Sequence, residues 1–382
     1  MKNFPSALKT KLDARVQTDS LRTLRVPASL VDFSSNDYLG FARSEQIYSR
    51  ANAYLDAKKI RRNGATGSRL ISGNHEIYTD AENLIADFHK TEAALIFNSG
   101  YDANVGFFSS VPQRGDIVLY DELCHASIRD GIRLSNATAY KFDHNDLDDL
   151  ASKIEKFKTA SGETYIATES VFSMDGDSPQ IAILVDLARQ YGCRLVIDEA
   201  HALGVFGRNG EGFIQDQGFE DHVFARIVTF GKGLGCHGAA VLGSVELHDY
   251  LINFARSFIY TTGLPPHSLA TIIEAYKSLD ENQLAIEKLR DNIILFSQEI
   301  NFLGIRPLFV GGKSTIQSAI IPGNKKVRAI AEKLQGKSFD VRAILSPTVP
   351  EGQERLRFCL HSYNSEAEIR EVLALLATFV LG

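Results

Sequence analysis

The chain has 382 residues, of which 44% are hydrophobic and 23% are charged, a composition typical of globular proteins that excludes an intrinsically disordered chain. Its formal net charge of −6 supplies no overall basic field, which argues against nucleic acid and anionic membranes as partners. The four cysteines are far apart and form no Cys-x-x-Cys pair, so we expect neither a disulfide framework nor a zinc site, and a reducing compartment fits best.

The sequence of residues 1–35 predicts that they form an N-terminal docking segment. Leu8, Leu12 and Val16 recur at helical spacing, which indicates a helix. Asp13 and Asp19 interrupt the basic stretch, and this stretch lacks the apolar core of a signal peptide. Because no stretch of the sequence approaches the length needed to span a bilayer, we expect a cytoplasmic protein.

Residues 36–275 alternate short β-rich runs with helical patterns such as IAILVDLARQYG (181–192). This alternation predicts an α/β fold with a mostly parallel central sheet, and we expect the region to form the large domain. The candidate strands are AALIF (93–97), DIVLY (116–120), TYIAT (164–168), RLVID (194–198), RIVTF (226–230) and AAVLG (239–243).

Residues 276–382 have a different character. A charged helical stretch precedes the runs STIQSAIIPG (314–323) and RLRFCLHSY (355–363), and a last helical pattern follows them. This mixture predicts a smaller C-terminal α+β domain.

Polar residues follow five of the candidate strands. In open α/β sheets the ligand lies beyond the carboxyl ends of the strands, so these residues are candidates for one shared site. They are Ser99, Gly100, His125, Glu169, Ser173, Asp198, His201, Thr229 and Lys232.

Lys232 is the single charged residue of the glycine-rich run VTFGKGLGCHGAAVLG (228–243). A lysine amine is costly to desolvate, so a lysine in such a run is either exposed to water or retained for its chemistry. Considered alone, Lys232 is more simply a loop lysine between two strands.

Three rival motifs do not account for these residues. DEAH (198–201) spells a helicase box, but no GxxxxGK[ST] phosphate loop lies upstream of it. The histidines His125, His201 and His237 lack HExxH or clustered Cys/His spacing, so we expect no metal site. The glycine-rich run RRNGATGSRLISGN (61–74) precedes the first candidate strand, which is the wrong place for a nicotinamide-binding loop.

The remaining interpretation is an aldehyde cofactor such as pyridoxal phosphate, held as a Schiff base by Lys232. A carboxylate must then keep the pyridine nitrogen protonated, and Asp198 at a strand end is the candidate. An equally simple role for Asp198 is to cap the following helix. His201, three residues further on, would share its helical face and could hydrogen-bond the phenolic oxygen of the cofactor.

The other cofactor contacts follow from the same interpretation. His125 could stack on the ring, although a satisfied loop histidine is a serious competitor. The phosphate requires backbone N–H groups at a helix start and hydroxyls, which Gly100, Tyr101 and Thr229 could supply if NSGYDAN (98–104) is more than a turn. Ser173 is a further candidate polar contact.

Seven ordered motifs spread over nearly the whole chain resemble those of the α-oxoamine synthases. These are pyridoxal-phosphate enzymes of the aspartate-aminotransferase fold, known as fold type I. The motifs are SSNDYLG (34–40), GSRLISGN (67–74), ESVFSMDGD (169–177), DEAHALGVFG (198–207), VTFGKGLGCHGAAVLG (228–243), FIYTTGLPP (258–266) and SPTVPEGQERLR (346–357).

The resemblance implies pyridoxal 5′-phosphate as cofactor and a homodimer with shared active sites. Lys232 would bind the cofactor aldehyde and later take the Cα proton of the amino acid. By the same resemblance, His125 would stack on the cofactor ring and Asp198 would pair with the ring nitrogen. His201 and Ser173 would contact the phenolic oxygen. The phosphate would be bound by Thr229, Gly100 and Tyr101, and the phosphate of the neighbouring subunit by Thr261 and Thr262. Glu169, at the start of its motif, is included among the cofactor-binding residues.

The resemblance also implies a decarboxylative condensation of an amino acid with an acyl thioester. L-alanine with a pimeloyl thioester, the pair used in biotin biosynthesis, fits the motifs best. Asn36 and Arg357 match positions near the amino acid, and Arg357 is suited to grip its carboxylate with two hydrogen bonds. Arg22 and Thr348 match substrate-contacting positions, and His125 also faces the substrate.

One departure from the pattern concerns the distal carboxylate of a pimeloyl chain. Leu345 stands where the related pattern has an arginine that could receive this charge. Arg22 and Arg342 are the remaining candidates. Each could instead be a solvated surface arginine, and for Arg342 that is the simpler interpretation. The carrier of the acyl group, coenzyme A or an acyl carrier protein, stays open.

Other activities remain open within and outside the family. Sister enzymes condense glycine with acetyl-CoA or serine with a long acyl chain, and sequence pattern separates them weakly from the biotin enzyme. A non-catalytic partner subunit is disfavoured because Lys232 is present, and an aminotransferase proper is disfavoured by the synthase-like motifs.

Overall fold

The structure is a computed structural model that describes residues 4–24, 29–158 and 161–382. Residues 1–3 and 25–28 of the predicted docking segment therefore lie outside the described residues. The helices are α1 (Ser6–Gln17), α2 (Glu45–Ala57), α3 (Glu76–Phe88), α4 (Gly100–Ser110), α5 (Ala126–Leu134), α6 (Leu147–Phe157), α7 (Ile181–Tyr191), α8 (Phe213–Asp216), α9 (Val245–Phe254), α10 (Arg256–Ile259), α11 (Pro266–Glu281), α12 (Gln283–Phe302), α13 (Asn324–Gln335) and α14 (Glu366–Leu381).

The strands follow the order expected for an α/β chain with a C-terminal α+β region. They are β1 (Val31–Asp32), β2 (Ala93–Phe97), β3 (Ile117–Asp121), β4 (Thr138–Phe142), β5 (Thr164–Glu169), β6 (Arg194–Asp198), β7 (Ala225–Thr229), β8 (Ala239–Gly243), β9 (Ile316–Ile320), β10 (Phe339–Asp340), β11 (Arg342–Ile344) and β12 (Arg355–Cys359).

Contacts between Cα atoms divide the chain into two compact units. The first unit comprises Met1–Ser35, Met174–Gly176 and Lys288–Gly382, and the second comprises Asn36–Ser173 and Asp177–Glu287. The predicted boundary at 275/276 falls inside α11, whose buried face packs against α2 and α3 within the second unit. The division into domains 1–35, 36–275 and 276–382 stays a prediction.

A seven-stranded sheet forms the centre of the second unit within the described residues. Its strand order is β2-β8-β7-β6-β5-β3-β4. Strand β8 runs antiparallel to both β2 and β7, and all the other neighbouring pairs are parallel. The prediction of a mostly parallel central sheet is confirmed. The six predicted strands correspond to β2, β3, β5, β6, β7 and β8. Strands β3 and β7 are shifted by one residue, β5 is one residue longer, and the other three match at both ends.

Strand β4 is the one strand of this seven-stranded sheet that the sequence pattern did not predict. It lies at the edge of the sheet and has the sequence TAYKF, in which only Phe142 is fully buried. An edge strand has one neighbour and much contact with water, so it lacks the continuous apolar run by which the central strands are recognised.

The central strands are buried on both faces, which explains their continuous apolar sequences. Alternate residues point to opposite faces, so Val196 joins one core cluster, which includes Phe107 and Ile128 from the helices α4 and α5. Leu195 and Ile197 join the other cluster, which includes residues of α6 and α7.

The first unit contains a smaller antiparallel sheet of order β11-β12-β9 and a parallel pair of β1 with β10. Helices α13 and α14 contact each other, and α14 begins with a capping box formed by Ser365 and Glu368. Helix α1 has no buried residue, so the predicted docking face of Leu8, Leu12 and Val16 is exposed on the single chain. Docking of this helix stays a prediction.

The register of the large sheet brings three strand ends together. Glu169 pairs with Asp198, and Asp198 pairs with Ile227, two residues before Thr229. Because these strands are parallel neighbours, the residues that follow them lie at the same edge of the sheet.

Among the described residues, none of the helices combines the length and the apolar character that crossing a membrane would need.

A buried ion pair joins β6 to β7 beneath this edge. Arg226 Nη1 lies 3.5 Å from Glu199 Oε2, and both side chains are buried. Arg226 also donates to the carbonyl of His89, while Glu199 accepts from the N–H of Ile214 at 2.9 Å. Burial raises the pKa of Glu199, and the Arg226 charge opposes that rise.

We expect Arg226→Met to lower the free energy of unfolding by about 3–5 kcal/mol, because it leaves the Glu199 carboxyl buried without its cation. Arg194→Met is the matched control: its pair with Glu163 is about half exposed, with side-chain accessibilities of 50% and 49%, so it should cost less than about 1 kcal/mol. Urea and thermal unfolding measure both. Equal losses in the two variants would contradict a structural role for the buried pair.

Candidate active site

A cavity of about 300 Å³ opens beyond the carboxyl ends of β5, β6 and β7 in the second unit. Most of the predicted site residues meet here. Its walls are formed by Asn36, Ser99, Gly100, Tyr101, Asn104, His125, Ser127, Glu169, Asp198, Ala200, His201, Thr229, Gly231, Lys232, His237 and Gly238.

Lys232 lies on the turn between β7 and β8, and this turn requires glycine at two positions that follow it. A Cβ atom on Gly233 would stand 2.2 Å from the carbonyl oxygen of Leu203. Gly235 has a φ of +60°, and a Cβ atom there would stand 2.1 Å from the backbone nitrogen of Ala42. The glycines therefore let the turn pack closely against the neighbouring backbone while the lysine reaches the cavity.

Asp198 is the buried carboxylate of the cavity, with 5% of its surface exposed. Its Oδ1 accepts from the N–H of Ala200 at 2.9 Å, and its Oδ2 accepts from Asn104 Nδ2 at 2.8 Å. Each carboxylate oxygen can accept a second hydrogen bond. The carboxylate is thus held in a fixed orientation with capacity left for a donor in the cavity.

Asn104 also connects Asp198 to His125. The amide of Asn104 donates to Ser127 Oγ at 3.0 Å, and Ser127 Oγ lies 2.8 Å from His125 Nδ1. His125 caps the start of α5, where its Nδ1 accepts from the N–H of Ser127 at 3.3 Å. Burial is the largest cause that lowers the pKa of His125, and the Lys232 charge lowers it further while Asp198 opposes both.

Glu169 is buried beside Asp198 at the end of β5. Its Oε1 accepts from the backbone N–H of His125 at 2.6 Å. Burial, and then the neighbouring charge of Asp198, raise the pKa of Glu169 to about 8. Burial and the nearby Asp198 therefore favour the protonated form of the Glu169 carboxyl, which limits the negative charge buried at this point.

His201 is fixed by a residue that sequence reasoning missed. The Tyr38 hydroxyl lies 2.7 Å from His201 Nδ1 and 3.2 Å from Asn36 Oδ1. Tyr38 belongs to the motif SSNDYLG, of which only Asn36 was singled out. Asn104 and Ser127 were missed as well, although Asn104 follows Gly100 by one helical turn and therefore shares its face of α4.

The first turn of α4 forms the far end of the cavity. Ser99 is its N-cap, and the Ser99 hydroxyl both accepts from the N–H of Asp102 at 3.1 Å and donates to Asp102 Oδ2 at 2.8 Å. The first N–H groups of a helix have no partner within the helix. A Cβ atom on Gly100 would stand 2.6 Å from Thr229 Cγ2, so only glycine lets the helix start approach Thr229 this closely.

Several predicted residues are not among those that form the walls of the cavity. Ser173 is partly buried in the second unit. Thr261 accepts from Asn98 Nδ2 at 3.0 Å, and the Thr262 carbonyl accepts from the same amide at 2.7 Å.

The remaining substrate candidates belong to the first unit. Arg22 Nη2 donates to Thr348 Oγ1 at 3.3 Å, so these two are brought together. Arg357 lies on β12 in register with Ser318 of β9 and Arg342 of β11. Arg342 itself pairs with Asp340 at 2.9 Å.

The cavity residues fit pyridoxal phosphate by the chemistry of their donors and acceptors. An amine on Lys232 suits the aldehyde, and the oriented carboxylate of Asp198 suits a protonated ring nitrogen. The open helix start at Gly100 suits the phosphate. The Oδ1 atom of Asn104 is buried and accepts no hydrogen bond from the described residues. Asn104 lines the cavity, so this oxygen is an acceptor that a bound group could use.

Comparisons with known proteins agree with this fit. Residues 28–376 match the family described as aminotransferase class I and II. An 8-amino-7-oxononanoate synthase from Emericella nidulans is 42% identical over 93% of this chain and 90% of its own length.

Two solved structures are also similar to this chain. An 8-amino-7-oxononanoate synthase from Francisella tularensis is 29% identical, with a TM-score of 0.77 over 92% of this chain and 98% of that one. A serine palmitoyltransferase from S. paucimobilis, solved with bound PLP–myriocin, is 24% identical with a TM-score of 0.87, covers 98% of this chain and 96% of that one, and shows the fold alone. The chain belongs to the aminotransferase class I and II family, and within it to the α-oxoamine synthases, which are pyridoxal-phosphate-dependent acyltransferases.

Proposed function

We propose that the protein condenses L-alanine with a pimeloyl thioester and releases carbon dioxide, forming 8-amino-7-oxononanoate for biotin biosynthesis. A bond forms between the alanine Cα and the thioester carbonyl carbon in place of the Cα–H bond, and the carbon–sulfur bond breaks to release the thiol. The bond from Cα to the carboxylate then breaks to release CO2, and a proton takes its place on Cα. The observation that carries the proposal is the meeting of Lys232, Asp198 and the start of α4 in one cavity. The name of the relative at 42% identity supports the choice of product.

Lys232 is the residue that binds the cofactor aldehyde and moves the Cα proton. The chemistry supplied by bound pyridoxal phosphate is electron withdrawal from the Cα of the amino acid, which weakens the bonds to its hydrogen and carboxylate. The Lys232 amine would serve as the general base that takes the Cα proton.

Asp198 holds the ring nitrogen in its protonated form. Its two hydrogen bonds, from Asn104 and from the Ala200 N–H, fix the carboxylate in place before the cofactor binds. A preoriented negative charge in a buried site stabilises the pyridinium more than a mobile one would. The proton on Glu169 keeps a second negative charge from competing with Asp198 below about pH 8.

His125, His201 and Ser173 orient the ring in this proposal. A lowered pKa keeps the His125 imidazole neutral at neutral pH, which suits a face-to-face contact with a cationic pyridinium. His201, held by Tyr38, and Ser173 are proposed to hydrogen-bond the phenolic oxygen. Gly100, Tyr101 and Thr229 are proposed to bind the phosphate.

The proposal includes a cytoplasmic homodimer with shared active sites. Thr261 and Thr262 are not among the residues that line the cavity of their own chain, which is compatible with service to the phosphate of a second copy. Asn36 and Arg357 are proposed to bind the alanine. Arg22 and Thr348 are proposed to contact the acyl substrate.

Sister activities are the second candidate, and one residue favours them. With Leu345 in place of an arginine, one cation that could receive the distal carboxylate of a pimeloyl chain is missing. Condensation of glycine or serine with an uncharged acyl group is therefore the alternative to the biotin assignment. Burying that carboxylate without a partner is costly. Arg22 is therefore the residue on which the pimeloyl proposal depends.

We expect Lys232→Ala to reduce turnover by at least about a hundredfold while the fold is kept, because it removes both the aldehyde-binding amine and the general base. Circular dichroism and CO2 release measure the two effects. Lys156→Ala, on the exposed face of α6, is the control and should retain full turnover. Borohydride reduction and peptide mapping that placed the cofactor on another lysine would refute the role of Lys232.

Asp198→Asn should leave cofactor binding largely intact but slow exchange of the alanine Cα hydrogen by at least about a hundredfold, because a neutral amide does not hold the ring nitrogen protonated. Exchange in deuterated water, followed by proton NMR, measures this step without the thioester. Near-normal exchange in the variant would leave Asp198 with a structural role only, as acceptor for the N–H of Ala200 in the turn that follows β6, where the sequence pattern had wrongly indicated a helix.

The acyl specificity can be tested with two thioesters of similar length, pimeloyl and octanoyl. We expect Arg22→Ala to raise KM for the pimeloyl thioester by about tenfold, since a charged hydrogen bond is lost, and to leave KM for the octanoyl thioester unchanged. Arg342→Ala is the matched control, because Arg342 pairs with Asp340. A preference of the unmutated enzyme for acetyl or long uncharged acyl groups would replace the biotin assignment by a sister activity.

A further inference from the structure

We propose that His237 is a phosphate-binding residue of this active site, a role that rests on the proposed function. His237 follows Lys232 by five residues on the turn before β8 and lies on the wall of the same cavity. Its side chain is exposed, and no hydrogen bond or ion pair from the described residues engages its ring. An imidazole in this state is available to a ligand.

The antiparallel pairing of β2 with β8 places His237 at the phosphate end of the cavity. Phe97 pairs with Ala239 at the last position of this ladder. Continued by two residues, the same register sets Ser99 opposite His237. A Cβ atom on Gly238 would stand 3.2 Å from the carbonyl oxygen of Phe97, so the two chains stay close beyond the ladder.

The start of α4 needs a cation that its own residues do not supply. A phosphate monoester carries about −1.5 to −2 charges at neutral pH, whereas a helix start offers about half a positive charge. Asp102 places a carboxylate in the first turn of α4, and Asp130 accepts from the Tyr101 hydroxyl at 2.5 Å. These carboxylates oppose the binding of an anion.

The Ser99 side chain at this end of the cavity already has a hydrogen-bond partner. The Ser99 hydroxyl donates to Asp102. Among the cavity-lining residues the groups that can carry positive charge are Lys232, His125, His201 and His237. Lys232 is assigned to the aldehyde, His125 is held by Ser127, and His201 is held by Tyr38.

His237 can therefore complete the phosphate site. Neutral imidazole has one N–H to donate to a phosphate oxygen, and the protonated ring has two N–H groups and a positive charge. The backbone N–H groups of Gly100 and Tyr101 and the Thr229 hydroxyl would then bind the remaining phosphate oxygens. A charge-assisted hydrogen bond of this kind is about twice as strong as a neutral one.

The test compares binding of pyridoxal 5′-phosphate with binding of pyridoxal, which lacks the phosphate, to the full chain freed of cofactor. We expect His237→Ala to raise Kd for pyridoxal phosphate by about tenfold or more and to leave Kd for pyridoxal unchanged. His237→Arg should restore tight binding, because arginine keeps both the charge and the donors. The phosphorus NMR signal of the bound cofactor should shift in His237→Ala.

His222→Ala is the matched control, since His222 is exposed in the same unit and is not among the residues that line the cavity. Unchanged Kd for pyridoxal phosphate in His237→Ala would overturn the inference while leaving the proposed function intact. Equal weakening of both ligands, or a higher KM for the thioester with unaltered cofactor affinity, would also overturn it. An unmutated protein that binds no pyridoxal phosphate would overturn the proposed function as well.

Discussion

The active site depends on one amide group. Asn104 Nδ2 donates to Asp198 at 2.8 Å and to Ser127 at 3.0 Å, and Ser127 lies 2.8 Å from the His125 ring. Both hydrogens of the amide are used, so the Asp198 carboxylate and the His125 ring are linked through Asn104 and Ser127. Because Asn104, Ser127 and Asp198 are buried, a lost partner would leave an unsatisfied polar atom on them, which makes alternative arrangements costly.

Charge balance follows from that arrangement. Asp198 and Glu169 are paired residues at the ends of two neighbouring strands, and two buried carboxyl groups so placed cannot both ionise without a large cost. Glu169 keeps its proton to about pH 8, and burial lowers the pKa of His125. The cavity around the ring thus presents one negative charge from Asp198 and one amine from Lys232. At the α4 end of the cavity, Asp102 adds negative charge close to where the phosphate is proposed to bind.

The glycines of the Lys232 turn and of the α4 start both allow close contact between segments that carry site residues. At Gly233 and Gly235 the turn approaches neighbouring backbone too closely for any side chain, and at Gly100 the helix start meets Thr229. Close approach of these segments brings the amine, the hydroxyl and the helix N–H groups to one cavity. A larger residue at any of the three positions would move a functional group rather than only strain the backbone.

The sequence by itself determined the sheet and most of its functional strand ends. Apolar runs identify central strands because both faces of those strands are buried, and polar residues directly after them must lie at the carboxyl edge. Lys232, Asp198, His125, His201 and Gly100 could therefore be predicted. The edge strand β4 could not, because half of its surface faces water and its pattern is not distinctive.

Only the tertiary structure decided which side chains support the catalytic groups. Asn104, Ser127 and Tyr38 are ordinary polar residues in sequence, and each gains its role from a partner 23 or more positions away. The protonation of Glu169 likewise depends on its depth and on the nearness of Asp198, and the position of His237 depends on the pairing of β2 with β8. Periodicity and motif spacing report local structure, whereas burial and long-range contact are properties of the folded chain.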